Sequence, residues 1–211
     1  MGQIQSDGSG SGDWWISFSE GNEFTPRPAQ PLDRGVNWQS LQVGDFNGDG
    51  LDDVFGIDPD TGCLCVGLSS GESFDHQAWG QDAGATAWTE LIVTDVDDDG
   101  RSDILARDAA AVWTFITSSD DGSFTSRLWA IWDSAEAWSD ATVADVNGDG
   151  IVELIARAES TGEIWATPGS LVLRRRGLPQ HKPTNWATDH NFEVYGDFDG
   201  DGVDEMFGLN P

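Results

Sequence analysis

The sequence has few cations and no long apolar segment. Ten lysine and arginine residues stand against 38 aspartate and glutamate residues, which gives a formal net charge of −28. A chain this negative repels phosphate backbones and anionic lipid surfaces. No apolar run approaches the roughly 18 residues that a membrane-spanning helix needs. We therefore predict no nucleic-acid partner and no membrane insertion.

The motifs of the common enzyme classes are also missing. The sequence contains no G-x-S-x-G, no H-E-x-x-H, no phosphate-binding loop and no Cys/His pair. Its three histidines (His76, His181 and His190) are unevenly placed, and Tyr195 is its one candidate phenolic base. We predict that the protein is not an enzyme, with part of a polysaccharide lyase as the weaker alternative.

Cysteine is scarce. The two cysteines, Cys63 and Cys65, lie two positions apart in a stretch with strand character. Residues i and i+2 of a strand point to the same face. We expect two small core side chains rather than a disulfide between them.

Glycine and aromatic residues are abundant instead. There are 26 glycines, 11 tryptophans and 10 phenylalanines, and 38% of the residues are hydrophobic. This composition excludes a disordered chain and favours a turn-rich all-β fold. Residues 1–11 are rich in glycine and serine and are predicted to form a flexible leader. Residues 12–211 are predicted to form a single domain.

Four segments of that domain repeat one another. They read DFNGDGLDDVFG from Asp45, DVDDDGRSDILA from Asp95, DVNGDGIVELIA from Asp145 and DFDGDGVDEMFG from Asp197. Their starts are about 50 residues apart, and a second apolar stretch follows each of the first three. A tryptophan precedes each segment, and we interpret these four as packing between repeats: Trp38, Trp88, Trp138 and Trp186.

The two ends of the chain complete each other. Residues 12–24 resemble residues 62–74, whereas the fourth repeat stops before this half at Pro211. About four short strands per repeat are typical of a β-propeller blade. We predict an all-β propeller of four blades of about 50 residues, with the closing blade shared by both termini. Two chains forming an eight-bladed ring are the alternative, and a β-solenoid or open array is less favoured.

The repeated segments have the composition of metal-binding loops. Each fits D-x-[DN]-x-D-G-x-x-[DE], and alternate side chains of a tight loop converge on one point. Carboxylate and amide oxygens without histidine or cysteine select Ca²⁺, so we predict about four ions, one per repeat. The proposed side-chain ligands are Asp45, Asn47, Asp49 and Asp53; Asp95, Asp97, Asp99 and Asp103; Asp145, Asn147, Asp149 and Glu153; and Asp197, Asp199, Asp201 and Glu205. The proposed backbone carbonyl ligands belong to Leu51, Arg101, Ile151 and Val203.

An EF-hand loop is the obvious rival. It needs a bidentate glutamate at position 12, where this chain has Gly56, Ala106, Ala156 and Gly208. Apolar pairs such as Val54-Phe55 and Ile104-Leu105 precede that position, where a helix needs amphipathic spacing. We therefore expect strands, and no helices, on either side of each loop.

With these loops the sequence resembles the FG-GAP/VCBS repeat family, which includes the calcium-binding blades of integrin α-subunit propellers. Phe55-Gly56 and Phe207-Gly208 keep the "FG" of the name, whereas Leu105-Ala106 and Ile155-Ala156 replace it. The likeness is closer to the bacterial VCBS type. It implies calcium ions that brace each blade, and it carries over no motif for an integrin-type partner.

Recognition is the function that the composition favours. Tryptophan rings stack on sugars, and Trp79, Trp129 and Trp132 are candidate ligand contacts, with packing between blades as the alternative. We predict a secreted, lectin-like module, monomeric or homodimeric, that binds extracellular carbohydrate, because millimolar calcium outside cells fills even weak sites. A structural or protein-interaction propeller is the alternative. The cationic run Arg174–Arg176 is a solvated strand face, an anion-docking site or an internal neutraliser.

Overall fold

Every regular element in the described part of the chain is a β-strand. The computed structural model describes residues 14–19, 21–28, 36–81, 88–167 and 193–208. The strands are β1 Trp15–Ser19, β2 Phe24–Pro28, β3 Gln39–Gly44, β4 Asp53–Asp58, β5 Cys63–Ser69, β6 Phe74–Gln81, β7 Trp88–Thr94, β8 Asp103–Asp108, β9 Val112–Ser119, β10 Ser123–Ile131, β11 Trp138–Ala144, β12 Glu153–Ala158, β13 Glu163–Thr167, β14 Glu193–Gly196 and β15 Glu205–Gly208. The all-β prediction is confirmed. Among these residues no helix has the length and apolarity to cross a bilayer.

The strands form small sheets in which chain neighbours pair. β3 to β6 and β7 to β10 each make a four-stranded sheet, and β11 to β13 make a three-stranded sheet. Four strands are the number predicted for a repeat. The fourth strand predicted for the third repeat falls in 168–192, outside the described residues, as do Trp186, Arg174–Arg176 and the 1–11 leader.

The two chain ends form separate sheets. β1 pairs with β2, and β14 pairs with β15, each as an antiparallel pair. The sharing of one blade between the termini therefore stays a prediction, as does its eight-bladed alternative.

The chain divides into two compact units. The first comprises Met1–Thr86, Gly100–Asp103 and Thr117–Thr125, and the second comprises Ala87–Asp99, Ile104–Ile116 and Ser126–Pro211. Each unit thus takes part of the second repeat, so the boundary does not follow the repeat boundaries.

The first unit has an aromatic core. Phe46 and Phe55 are fully buried, and the ring of Phe124 meets them edge-on at 6.0 and 5.7 Å between centroids. Phe74 is also buried and packs against Ile16 of β1 together with Trp38 and Val54. Phe46 is the second residue of the first acidic loop. Its buried ring therefore keeps water away from the part of the loop that joins the core.

The second unit is built in the same way. Trp113, Leu105 and Leu154 are fully buried in one cluster. On the other side of the third sheet, Tyr195 of β14 and Met206 of β15 pack against Ile155 and its neighbours. The hydrophobic stretch after each of the first three acidic loops therefore supplies the core, whereas Phe207 after the fourth loop is exposed.

The tryptophan that precedes the first loop explains the glycine of the "FG" pair. A β-carbon on Gly56 would collide with the ring of Trp38, and Leu41 closes the same space at 3.1 Å. Trp138 likewise packs against Trp132, with the ring centroids 4.5 Å apart. These contacts agree with a packing role for Trp38 and Trp138.

The expectation for the cysteines is wrong, because Cys63 and Cys65 form a disulfide. Their Cα atoms lie 5.5 Å apart, within the range that a disulfide spans. The pairing of β5 with β6 is irregular between Leu64 and Cys65, where Trp79 is an extra residue on β6. Sequence spacing alone assumes a regular strand and cannot show this irregularity.

Candidate metal centres

Each acidic loop joins two antiparallel strands. The loops connect β3 to β4, β7 to β8, β11 to β12 and β14 to β15. The ninth loop residue is in every case the first residue of the second strand: Asp53, Asp103, Glu153 and Glu205. Strands therefore flank all four loops, as expected, and a helix-loop-helix EF-hand does not fit.

The first loop winds around the carboxylate of its first residue. Asp45 Oδ1 accepts hydrogen bonds from the backbone N–H groups of Gly48 at 2.7 Å and Asp49 at 3.1 Å. Asp45 Oδ2 accepts one from Gly50 at 2.7 Å. Gly48 and Gly50 have positive φ values of 76° and 86°, which glycine adopts without steric cost. The turn is thus a consequence of the Asp-x-x-Gly-x-Gly pattern.

The third and fourth loops repeat this geometry. Asp145 accepts from Gly148 and Gly150 at 2.7 Å each. Asp197 accepts from the corresponding glycines of its own loop at 2.6 and 3.0 Å. These backbone bonds, first from Gly202 and then from Gly200, hold the pKa of Asp197 below its usual value. The first carboxylate of the fourth loop is therefore kept ionised and ready to contact a cation.

The ninth residue ties the loop to the core. Asp53 is fully buried and accepts hydrogen bonds from the backbone N–H groups of Phe46 at 3.1 Å and Ser69 at 2.7 Å. Burial, with smaller contributions from the nearby Asp49 and Asp45 charges, raises the pKa of the Asp53 carboxyl to about 6 in spite of these bonds. A buried carboxylate beside two others calls for a compensating positive charge.

Asp103 and Glu153 occupy the same place in the second and third loops. Asp103 is fully buried and accepts from the backbone N–H of Ser118 at 2.9 Å. Glu153 accepts from the backbone N–H of Val146 at 3.2 Å. Sequence reasoning missed Ser69 and Ser118 as donors. The signal was a serine at the end of the third strand in both repeats, a position that strand patterns alone do not mark.

Carboxylate oxygens converge in the second and fourth loops. One oxygen from each of Asp95, Asp97 and Asp99 lies within 4.8 Å of the others. The same holds for Asp197, Asp199 and Glu205. Ligand oxygens that each stand about 2.3–2.6 Å from one Ca²⁺ fall within this mutual distance. The donor set, all oxygen and strongly anionic, therefore fits calcium.

An asparagine replaces an aspartate at the third position of the other two loops. Asn47 Nδ2 donates to Asp49 Oδ2 at 3.0 Å, and Asn147 Nδ2 donates to Glu153 Oε1 at 2.6 Å. Each amide thus offsets part of the repulsion between carboxylates. The predicted backbone ligands Leu51, Arg101, Ile151 and Val203 hold the seventh position of their loops, between the fifth and ninth ligands.

Two of the three tryptophans predicted to contact ligand are core residues, which corrects that prediction. Trp79 is 4% exposed and packs against Phe124, and Trp132 is 3% exposed. Their indole N–H groups donate to Gln77 and Thr167, so neither ring offers a face to a sugar. The packing alternative holds for both residues. Trp129 is half-buried beside Phe115 and keeps part of its surface exposed.

Comparisons with known proteins agree with the repeats. The FG-GAP-like repeat family matches residues 6–56 and 95–156, more than half of the chain. A crystal structure of the V. cholerae biofilm matrix protein Bap1 is similar at a TM-score of 0.44 and 18% identity. That match covers 85% of this chain but only 30% of Bap1. A search of curated proteins finds no match to this chain.

Proposed function

Because the chain belongs to the FG-GAP-like repeat family, we propose that it is a non-enzymatic interaction module stabilised by about four calcium ions. The VCBS type is the part of the family that its loops resemble most. Its repeats form the blades of a β-propeller, and the two chain ends supply the closing blade. Calcium is millimolar outside cells, which is enough to fill even weak sites, and the proposed location of the module is therefore extracellular.

The convergent carboxylates of the second and fourth loops carry this proposal. Three acidic side chains held within 4.8 Å repel one another unless a cation lies between them. At about 4 Å each pair repels by roughly 1–4 kcal/mol, depending on the local dielectric. The same loop recurs four times in register, which a solvated turn does not require.

A bound calcium ion would supply the positive charge that these loops lack. Asp95, Asp97 and Asp99 would hold it in the second loop, and Asp197, Asp199 and Glu205 in the fourth. The chain's own part is to fix the ligands through backbone hydrogen bonds and to join each loop to the core through its ninth residue. The ions are in this way structural, and they leave the surface available for a partner.

The partner is an extracellular protein or a carbohydrate. With Trp79 and Trp132 buried, carbohydrate binding is supported by Trp129 alone, so a protein contact is the broader proposal. A surface with a net charge of −28 favours a partner with a cationic face.

Chelation tests the calcium proposal directly. We expect metal analysis of the folded protein to find calcium, and we expect EDTA to lower the melting temperature. A ligand that binds only the native state stabilises it by about 2.7 kcal/mol per site at 100 times its Kd. Magnesium at the same concentration is the control, since it requires a tighter octahedral site. Folded protein with no calcium, or a melting temperature that EDTA leaves unchanged, contradicts the proposal.

A further inference from the structure

The third and fourth acidic loops are joined to each other by hydrogen bonds. In the second unit, the backbone N–H of Asp204 donates to the carbonyl oxygen of Asp145 at 2.8 Å. The backbone N–H of Asp145 donates to Asp204 Oδ2, also at 2.8 Å. Asp145 is the first ligand of the third loop, whereas Asp204 is the eighth residue of the fourth loop and is not a ligand. One side chain outside both ligand sets therefore links two sites.

The backbone of the third loop also lies against a side chain of the fourth loop. A β-carbon on Gly148 would lie 2.7 Å from Val203 Cγ2, so the third loop approaches the fourth as closely as glycine allows. Val203 is the residue whose carbonyl is assigned to the fourth site. Any shift of the third loop therefore acts on a ligand of its neighbour.

The first unit has the same arrangement between the first and second loops. The backbone N–H of Ser102 donates to the carbonyl oxygen of Asp45 at 2.6 Å. A β-carbon on Gly48 would lie 3.2 Å from Arg101 Cγ. The contact thus belongs to the repeat, but Ser102 has no carboxylate to match that of Asp204.

We propose that Asp204 couples the third and fourth calcium sites, so that filling one site raises the affinity of the other. This inference rests on the calcium sites proposed above. Two opposed hydrogen bonds fix the backbone of Asp145 relative to residues 203–205, which supply two of the fourth site's ligands. An ion that orders one loop thereby lowers the entropy that the other loop loses on binding. The coupling is reciprocal, because it is one free energy shared by two sites.

Site-resolved titration can detect this coupling. The backbone amides of Gly148 and Gly150 report the third site, and those of Gly200 and Gly202 report the fourth, because each donates to the first carboxylate of its loop. We would follow their 15N–1H NMR signals while calcium chloride is added to the full chain.

Asp199→Asn weakens the fourth site without touching the third. The substitution is mild, since Asn47 and Asn147 occupy this position naturally. In the unmodified chain we expect Asp199→Asn to raise the calcium midpoint of the third site by about fivefold or more, the lower end of usual coupling. In an Asp204→Val background we expect this shift to fall to within about twofold.

The background variants are chosen to stay folded. Val152 holds the eighth position of the third loop, so valine is compatible with the turn. Asp204→Asn keeps an oxygen acceptor for the Asp145 N–H, and it should restore most of the coupling. Asp52→Val makes the same change at the exposed eighth position of the first loop, and it should leave the coupling of the third and fourth sites intact.

The possible outcomes are distinct. If calcium moves the glycine signals but Asp199→Asn leaves the third-site midpoint unchanged, the coupling is refuted and the calcium sites stand. If Asp204→Val keeps the full shift, the sites communicate by another route and the role of Asp204 is refuted. If calcium moves no glycine signal in any loop, the calcium sites fall and the coupling falls with them.

Discussion

At the scale of single residues, the third position of each acidic loop separates two kinds of site. It is aspartate in the second and fourth loops, and it is asparagine in the first and third. Asp97 belongs to a cluster of three carboxylates, whereas the Asn47 amide donates a hydrogen bond to a carboxylate of its loop. More negative charge in the ligand set raises calcium affinity. The second and fourth sites should therefore bind more tightly.

Asp97→Asn tests this difference. We expect calorimetric calcium titration to show about tenfold weaker binding at the second site, which equals about 1.4 kcal/mol. In EDTA the same variant should be as stable as the parent or more stable, because one carboxylate repulsion is gone. A variant that binds calcium more weakly, yet is at least as stable as the parent in EDTA, has lost a calcium ligand.

The matched control is Asp98→Asn. Asp98 is exposed, lies outside the ligand pattern and has a φ of 57°, which asparagine tolerates. The Asp98→Asn substitution removes the same charge from the same loop as Asp97→Asn does. If Asp98→Asn weakens calcium binding as much as Asp97→Asn, the effect is one of net charge and the ligand assignment is wrong.

Gly56 is a second position at which the addition of one methyl group should change the stability of the protein. Gly56→Ala places a methyl group against the Trp38 ring. We expect it to destabilise the protein by about 1–3 kcal/mol, as overpacked sites do, measured as a lower urea midpoint. Gly80→Ala is the control, since its nearest neighbour would lie at an ordinary 3.4 Å. Equal losses at both positions would show that the added methyl group costs stability in either strand, and that the contact with tryptophan does not set the effect.

At the scale of elements, the turn between β12 and β13 is held by a carboxylate from a distant loop. The Ser160 hydroxyl and backbone N–H both donate to Glu136, and these bonds hold the pKa of that carboxyl below its usual 4.5. A lowered pKa contributes stability that is present above pH 4.5 and is lost as pH falls through the folded value.

Glu136→Gln should therefore lower the urea midpoint at pH 7, and the difference from the parent should shrink as the pH falls through the folded pKa of Glu136. Glu159→Gln, an exposed change in the same turn, removes the same charge without removing the bonds to Ser160. If the urea midpoint of Glu136→Gln is lower than that of the parent by the same amount at low pH, the stability is lost through packing and not through the charge.

The same scale shows how much the sequence can predict. The acidic loops, their flanking strands and the EF-hand exclusion follow from local spacing, because each feature spans about ten residues. The burial of Trp79 and Trp132 does not, since exposed and core tryptophans share the same alternating pattern. The Cys63–Cys65 disulfide lies beside an irregularity in the pairing of β5 with β6, which local sequence spacing does not show. The pair Asp145 and Asp204 is separated by 59 residues, and no local pattern connects them.

At the scale of the whole molecule, the dominant feature is charge. The net charge is −28, and four divalent ions would offset eight of these charges. Self-repulsion of this size opposes a compact state. Under the proposed function calcium would therefore act twice, once within each loop and once on the field of the whole chain.

Salt should reproduce part of the effect on long-range charge repulsion, but it should not reproduce the effect of an ion within each loop. In EDTA, raising sodium chloride from about 0.05 M to about 0.5 M should raise the melting temperature, because the screening length shortens. In calcium the rise should be smaller, because the ions have already reduced the charge. Identical rises in the two buffers would show that long-range repulsion does not limit stability.

The first, third and fourth acidic loops are each wound around their first aspartate by the amides of their own glycines. Each of these loops is thus preorganised, and its first carboxylate is already held in place before an ion binds. Each loop would then lose less conformational entropy on binding, so a chelated molecule should take up calcium again quickly when the ion returns.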